Sequence, residues 1–107
     1  MVDKLLGLLG LARRAGKVTY GFDAVLKDVA AGKAEMVILT SDAAPRTAKN
    51  IEETCGRFDT KVFVVPCDKM ALGHAIGRGD TAVAAVTDKA FSARVSEICR
   101  SITGGIY

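Results

Sequence analysis

Apolar residues recur at the helical period in five segments of the chain. The first segment begins at Asp3, a good helix-capping residue type, and ends before Gly16, while Gly32 stops the second. Pro45 opens the third helix at its first position, and Asp68 caps the fourth. The predicted helices are Asp3–Ala15, Phe22 to about Ala31, a segment from Pro45 with Ala48, Ile51 and Cys55 inside, a short helix closed by Gly77, and a final helix carrying Phe91, Val95, Ile98 and Ile102.

Short apolar runs lie between these helices and predict strands. Met36–Leu39 and Val62–Val65 are continuous, as expected of strands buried on both faces, and Val18–Tyr20 and Ala82–Val86 are the other two. Helices and strands alternate along the whole length of 107 residues. We therefore predict a single domain, residues 1–107, folded as a three-layer α/β/α sandwich around about four strands, with the strand order left open.

Composition and charge exclude a disordered or membrane-spanning chain but do not indicate a function. Half of the residues are hydrophobic and the net charge is +3, which is ordinary for a globular protein and too mild to indicate nucleic acid. The excess is local, because residues 1–34 hold six basic and three acidic residues and the remainder is balanced. The longest apolar run, Leu5–Ala12, is too short to span a bilayer, and no signal-peptide pattern is present. We expect a cytoplasmic protein with no membrane partner.

The three cysteines, Cys55, Cys67 and Cys99, form no C-x-x-C pair and lie on apolar patterns. Small buried thiols are therefore expected. A metal site would need histidine partners, and His74 is the only histidine in the chain. We predict no metal and no cofactor.

The turn between the first strand and the second helix is the most informative polar feature. A helix beginning near Gly21 presents backbone N–H groups and the positive end of its dipole, which is a setting for an anion. Asp23 and Lys27 are four residues apart and share the exposed face of that helix. The residues alone thus indicate an α/β domain able to bind an anion or a phosphate backbone.

Catalytic interpretations fail elsewhere in the chain. His74 lies within a helix with no Ser or Cys at a triad spacing, so an exposed helical position is expected. The glycines beside Arg78 do not follow a strand, which argues against a dinucleotide loop. Asp42 ends a buried strand, as in phosphorylated receiver domains, but Val18–Gly21 offers no acidic pair for Mg²⁺. The simplest role for Asp42 is a turn or cap before Pro45.

Several separated motifs occur in order: Gly21-Phe-Asp-Ala-Val-Leu-Lys27, Gly32-Lys-Ala34, Val37-Ile-Leu-Thr-Ser-Asp-Ala-Ala-Pro45, and Leu72-Gly-His-Ala-Ile-Gly77 followed by Val83-Ala-Ala-Val86. Together they resemble the kink-turn RNA-binding ribosomal protein family, which is the family of the archaeal large-subunit protein L7Ae. The segment from Leu8 to Val18 is similar to a bacterial branch of that family. The resemblance covers about residues 5 to 95 and implies a mixed sheet and binding of structured RNA without catalysis.

The resemblance also implies the binding residues. In the family, Gly-x-Asn-Glu-x-x-Lys contacts tandem sheared G·A pairs, which places Gly21, Asp23, Ala24 and Lys27 at the Gly, Asn, Glu and Lys positions. The family's second contact loop corresponds to Arg78–Ala82, and the two regions meet only in a mixed sheet. The predicted RNA-binding residues are Lys17, Gly21, Phe22, Asp23, Lys27, Asp42, Arg46, Arg78, Gly79 and Thr81.

The chain departs from the family pattern at the contact positions. The Asp23 carboxylate only accepts hydrogen bonds, whereas Asn both donates and accepts, and Ala24 lacks the polar reach of Glu. The basic pair that often precedes the glycine is here Thr19-Tyr20. The second loop is shorter, and polar where the family usually has an apolar stretch with proline. These departures favour general RNA binding over sequence-specific kink-turn recognition.

We therefore predict a non-enzymatic monomer that binds structured, kink-turn-like RNA and acts in translation. Ribosomal RNA and ribosomal or translation-factor proteins are the expected partners. The alternative is a protein-interaction module of the translation machinery on the same scaffold, which the loss of the Asn and Glu favours.

Overall fold

The computed structural model describes residues 1–103, so the last four residues of the predicted domain lie outside the described part. Helices and strands alternate as the sequence predicts. The helices are α1 (Val2–Arg14), α2 (Phe22–Ala30), α3 (Pro45–Arg57), α4 (Lys69–Ala75) and α5 (Lys89–Thr103), and the strands are β1 (Val18–Tyr20), β2 (Met36–Thr40), β3 (Lys61–Val65) and β4 (Val83–Val86).

The four strands form one mixed sheet in the order β1-β4-β2-β3. Strands β2 and β3 are parallel, with Ile38 opposite Phe63, while β4 is antiparallel to both β1 and β2, with Ala85 opposite Thr19 and Val37. The ends of β1, β2 and β3 therefore lie at the same side as the start of β4. We name this side the cleft edge (Gly21, 41–44, 66–68 and 78–82) and the opposite side the closed edge (15–17, 31–35, 58–60 and 87–88).

Helices cover both faces of the sheet, which confirms the three-layer prediction. Helices α1, α4 and α5 cover one face, where Leu5, Leu9 and Phe63 are fully buried. Helices α2 and α3 cover the other, with Val25 and Ile51 fully buried. Since successive residues of β2 enter the two cores in turn, this strand must be apolar throughout, as its sequence is.

Two local predictions are corrected. Asp3 lies in the first turn of α1, whose N-cap is Met1, so Asp3 is not the cap. Strand β3 was expected to be covered on both faces, but Val62 and Val64 are only half-buried because β3 is an edge strand. The Asp68 cap is confirmed, since its carboxylate accepts a hydrogen bond of 2.7 Å from the N–H of Ala71.

All three thiols are buried, as predicted. Burial raises the pKa of Cys55 to about 11 and that of Cys99 to about 12, and it also raises the pKa of Cys67. Thiols with raised pKa values are chemically inert near neutral pH. Within residues 1–103, no helix is long and apolar enough to cross a membrane.

Candidate nucleic-acid interface

The turn at Gly21 opens α2 in a conformation that favours glycine. Its φ angle is +91°, in the region that side chains rarely adopt. The Gly21 N–H donates to the Val83 carbonyl (3.1 Å), which ties the turn to the start of β4. The helical ladder starts with the Val25 N–H on the Gly21 carbonyl (3.0 Å), and no side chain caps the helix. The N–H groups of residues 22–24 therefore stand outside the ladder and face an incoming acceptor.

The loop before β4 is held against α4 by close backbone contacts. The Arg78 N–H donates to the Gly73 carbonyl (2.7 Å), and the Thr81 N–H donates to the Lys69 carbonyl (3.0 Å). The Thr81 hydroxyl donates to the Gly79 carbonyl at 2.8 Å. A Cβ atom at Gly73 would lie 2.0 Å from the Gly79 oxygen, so the loop rests on a helical position that tolerates only glycine.

The turn and the loop meet in one cleft, as expected for a mixed sheet. The cleft encloses about 320 Å³. Thr47, in the first turn of α3, also lines it. Its lining consists of Tyr20, Gly21, Phe22, Thr47, Arg78, Gly79, Asp80, Thr81, Ala82 and Val83. The mixed sheet thus brings parts of the chain some sixty residues apart in sequence into one surface.

Most of the predicted RNA-binding residues lie at or beside this cleft. Five of the ten line it, namely Gly21, Phe22, Arg78, Gly79 and Thr81. Asp23 directly follows the cleft residue Phe22, Lys27 lies one helical turn further along the exposed face of α2, and Arg46 is exposed beside Thr47 at the start of α3. Lys17 is not brought to the cleft. It lies at the closed edge, where its carbonyl accepts from the Thr87 N–H (2.9 Å).

Asp42 lies at the cleft edge, but its carboxylate contacts the protein itself. Its two oxygens accept from the Lys69 N–H at 3.1 and 3.3 Å, at the first residue of α4. Desolvation raises the pKa of the Asp42 carboxyl, but nearby Thr40 and the N–H and charge of Lys69 lower it more, so the net pKa is below its usual value. The role as a cap agrees with the simplest sequence interpretation, although the capped helix is α4 rather than α3.

The cleft edge is rich in hydrogen-bond donors and carries charges of both signs. Neither α2 nor α3 has a side-chain cap, so their N–H groups and dipole ends remain available to a ligand. Arg78 and Asp80 line the cleft, Arg46 and Asp23 lie in the first turns of α3 and α2, and Lys27 is exposed one helical turn beyond Asp23. Such a surface suits an extended ligand that carries phosphates and also offers its own hydrogen-bond donors.

Sequence reasoning missed Tyr20 and Thr47 as cleft residues. Tyr20 precedes Gly21 directly, so its position at the end of β1 was a usable signal. Thr47 follows Pro45 by two residues, and its place depends on the strand order, which the sequence left open. His74 is exposed on α4, as predicted. Among residues 1–103, no three His, Cys, Asp or Glu side chains cluster in a way that would hold a metal ion.

The mixed α/β/α sandwich and its cleft edge define a class of protein. Comparison with known families identifies that class. The model of the ribosomal protein L7Ae/L30e/S12e/Gadd45 family matches residues 3–96. The chain belongs to this family, which confirms the resemblance found in the sequence.

Two curated bacterial relatives carry the name RNA-binding protein YlxQ. The protein of Bacillus subtilis (strain 168) is 40% identical over 85 residues, covering 79% of this chain and 84% of the relative. That of Enterococcus faecium is 27% identical over 96 residues, covering 90% and 91%. These matches agree with the bacterial branch indicated by the first helix. The family and these names indicate a non-enzymatic protein, as predicted.

Solved structures support the same fold. A protein of unknown function from Bacillus halodurans C superposes with a TM-score of 0.84 at 38% identity, covering 90% of this chain and 96% of that one. The 15.5kD RNA binding protein of Giardia lamblia gives a TM-score of 0.81 at 28% identity, covering 98% and 89%. The architecture is therefore shared by a bacterial and a Giardia protein.

Proposed function

We propose that this chain binds structured RNA at the cleft edge and catalyses no reaction. The observation that carries the proposal is the meeting of the α2 turn with the Arg78–Ala82 loop in one cleft. The family and the relatives named as RNA-binding proteins support it. We further propose that the protein acts as a cytoplasmic monomer in translation, with ribosomal RNA and ribosomal or translation-factor proteins as partners.

The phosphate backbone supplies most of the affinity in this proposal. Backbone N–H groups at a helix start bind phosphate oxygens, and both α2 and α3 present such groups without a capping side chain. Lys27, Arg46 and Arg78 are all exposed around the cleft and provide charge-assisted contacts. Because these contacts position an RNA without reading its bases, they would serve any RNA whose backbone bends into the cleft.

Recognition of a kink-turn-like RNA is the more specific part of the proposal. The exposed Asp23 carboxylate accepts hydrogen bonds and would pair with the amino and imino N–H groups of guanine. Lys27 lies one helical turn further along the same exposed face. Ala24 leaves the family's glutamate position without a polar group. We therefore expect weaker discrimination for G·A pairs than the full family pattern would give.

A matched pair of lysine variants tests the location of the site. Lys27→Ala should weaken binding to a kinked RNA with tandem G·A pairs by roughly 1–3 kcal/mol, because one base or phosphate contact is lost. Lys17→Ala removes an equally exposed lysine at the closed edge and should change binding by less than about 0.5 kcal/mol. Electrophoretic titration with kinked and unkinked RNA measures both, and thermal unfolding checks that neither variant is destabilised.

Salt dependence provides the second measurement. Three phosphate contacts, one each for Lys27, Arg46 and Arg78, give a log–log slope of roughly −2 to −3, so raising salt from about 50 to 200 mM should weaken binding roughly 20- to 60-fold. A larger loss for Lys17→Ala than for Lys27→Ala would move the site to the closed edge. Absence of binding to any structured RNA at low salt would refute RNA binding and favour the protein-interaction alternative.

A further inference from the structure

Two arginines from distant parts of the chain share one aromatic ring beside the cleft. The guanidinium carbon of Arg13, in the last turn of α1, lies 5.4 Å from the centre of the Tyr20 ring. That of Arg78, in the loop before β4, lies 5.0 Å from the same centre. Both distances are within cation–π range. We call Arg13, Tyr20 and Arg78 the arginine–tyrosine cluster.

The alternation of β1 explains how the ring reaches both arginines. Thr19 points toward α2, where its hydroxyl donates to Asp28 at 2.5 Å. Tyr20 therefore points to the opposite face, where it packs half-buried against the core under α1, α4 and α5. Gly21 follows directly and begins the α2 turn. The ring is thus fixed at the end of β1, next to the proposed RNA surface.

Both guanidinium groups in this cluster lie over the ring. The Nε atom of Arg13 is buried and within residues 1–103 it has no hydrogen-bond partner, so the Tyr20 ring is the contact that the described residues offer this guanidinium. A guanidinium that stacks on a ring keeps its planar edge of N–H donors available for an anion. Two positive groups at one ring also repel each other, and a bound anion relieves that repulsion.

We propose that the arginine–tyrosine cluster is a contact site for the phosphate backbone of RNA, in which Tyr20 acts as a positioning residue for both arginines. The inference rests on the proposed function and extends the RNA surface from the α2 turn to the last turn of α1. It assigns a role to Arg13. The neighbouring Arg14 lies elsewhere, in the groove between α1 and α4 that Gly10 and His74 also line. Arg14 therefore provides a matched control.

The test compares two tyrosine variants in their salt dependence. Tyr20→Phe keeps the ring and should retain the parent's affinity and slope. Tyr20→Leu keeps an apolar side chain but removes the ring, so binding should weaken and the log–log salt slope should fall by about one or more, as for lost phosphate contacts. A tyrosine with a purely structural role would lower the melting temperature without changing the slope of the folded protein.

The arginine variants complete the experiment and keep it decisive if Tyr20→Leu does not fold. Arg13→Gln and Arg78→Gln should each lower the slope by about one, the double variant by about two, and Arg14→Gln should leave it unchanged. Equal slopes for the parent and both single variants would overturn this inference while leaving the proposed function standing. A parent chain that binds no structured RNA would overturn both.

Discussion

The closed edge and the cleft edge differ in how the backbone groups at the helix ends are hydrogen-bonded. At the closed edge, α1, α2 and α3 all end in the same type of turn. A residue with positive φ follows the helix, and the N–H of the next residue donates a hydrogen bond to a carbonyl in the last helical turn. These bonds are Lys17 to Ala12 (2.8 Å), Lys33 to Asp28 (2.9 Å) and Thr60 to Cys55 (2.8 Å), with positive φ at Gly16, Gly32 and Asp59. At the cleft edge, α2 and α3 begin without a side-chain cap. The carbonyl groups that end α1, α2 and α3 are thus satisfied locally, whereas the N–H groups that begin α2 and α3 have no capping side chain.

Helix α4 shows that the open ends are not a general property of the cleft edge. It begins at that edge, and the carboxylates of Asp68 and Asp42 accept from its first N–H groups. Helix α5 begins at the closed edge and is also capped, by Asp88 at 2.9 Å. Of the three helices that begin at the cleft edge, α2 and α3 therefore lack a side-chain cap and α4 has one.

The largest expected effect comes from Gly73, which supports the cleft loop. A Cβ atom there would lie 2.0 Å from the Gly79 oxygen, a backbone atom that cannot yield without moving the loop. Gly73→Ala should therefore cost about 2–3 kcal/mol of unfolding free energy, measured by denaturant titration. The same variant should lose RNA binding, because Arg78 follows the displaced loop.

Gly7 is the matched control for this prediction. It is exposed within α1, and a Cβ atom there would meet nothing within 4 Å. Gly7→Ala should stabilise the protein by about 0.5–1 kcal/mol through helix propensity and leave RNA binding unchanged. A Gly73→Ala variant as stable as the parent would show that the loop can move away cheaply, and the cleft would then be adaptable rather than fixed.

The sequence predicts the elements well because each rests on local signals. Pro45, Asp68 and the glycines that follow helices mark the boundaries through their own backbone preferences. The cleft was harder to predict, because its shape depends on β4 running antiparallel between β1 and β2. Apolar periodicity carries no information about strand direction, so the mixed sheet came from the family resemblance.

The site residues also divide into those that local signals predict and those that depend on long-range contacts. Gly21 was predicted because a helix start after a strand is visible in the sequence, and it lines the cleft. Asp42 was also predicted at the RNA surface, and its carboxylate accepts from the Lys69 N–H, a contact across 27 residues that no local pattern encodes. The pairing of Arg13 and Arg78 on Tyr20 is equally non-local. Long-range side-chain contacts are where the sequence alone falls short.

A second variant, Asp23→Asn, should change stability and binding in opposite directions. The carboxylate lies in the first turn of α2, where it interacts favourably with the helix dipole, so its removal should cost about 0.3–1 kcal/mol of folding free energy. The amide no longer repels phosphates and can donate as well as accept, so affinity for a kinked RNA should rise by roughly 1 kcal/mol. Titration of RNA together with thermal unfolding measures the two effects.

Asp3→Asn separates the dipole effect from the RNA effect. Asp3 occupies the first turn of α1 and does not line the cleft, so this variant should lose stability without a change in RNA affinity. Adding Ala24→Glu to Asp23→Asn restores the family's Asn-Glu pair and should increase discrimination against unkinked RNA. If the double variant binds both RNAs no better than the parent, α2 does not read the bases.

The smallest expected effect lies at the closed edge, at Asp59. Its φ angle is +57°, and the equivalent turns after α1 and α2 use glycine, which adopts this region without strain. The carboxylate also lies at the negative end of the α3 dipole, which is unfavourable. Asp59→Gly removes both penalties at the expense of a more flexible unfolded chain, so the net gain should be about 0.5 kcal/mol in denaturant unfolding. Asp59→Asn keeps a side chain and removes only the charge, so it isolates the dipole contribution.

Gly32→Ala is the reverse change at an exposed turn with open space around the glycine, and it should cost about 1 kcal/mol. A loss of stability in Asp59→Gly would mean that unfolded-state entropy outweighs backbone strain at this turn.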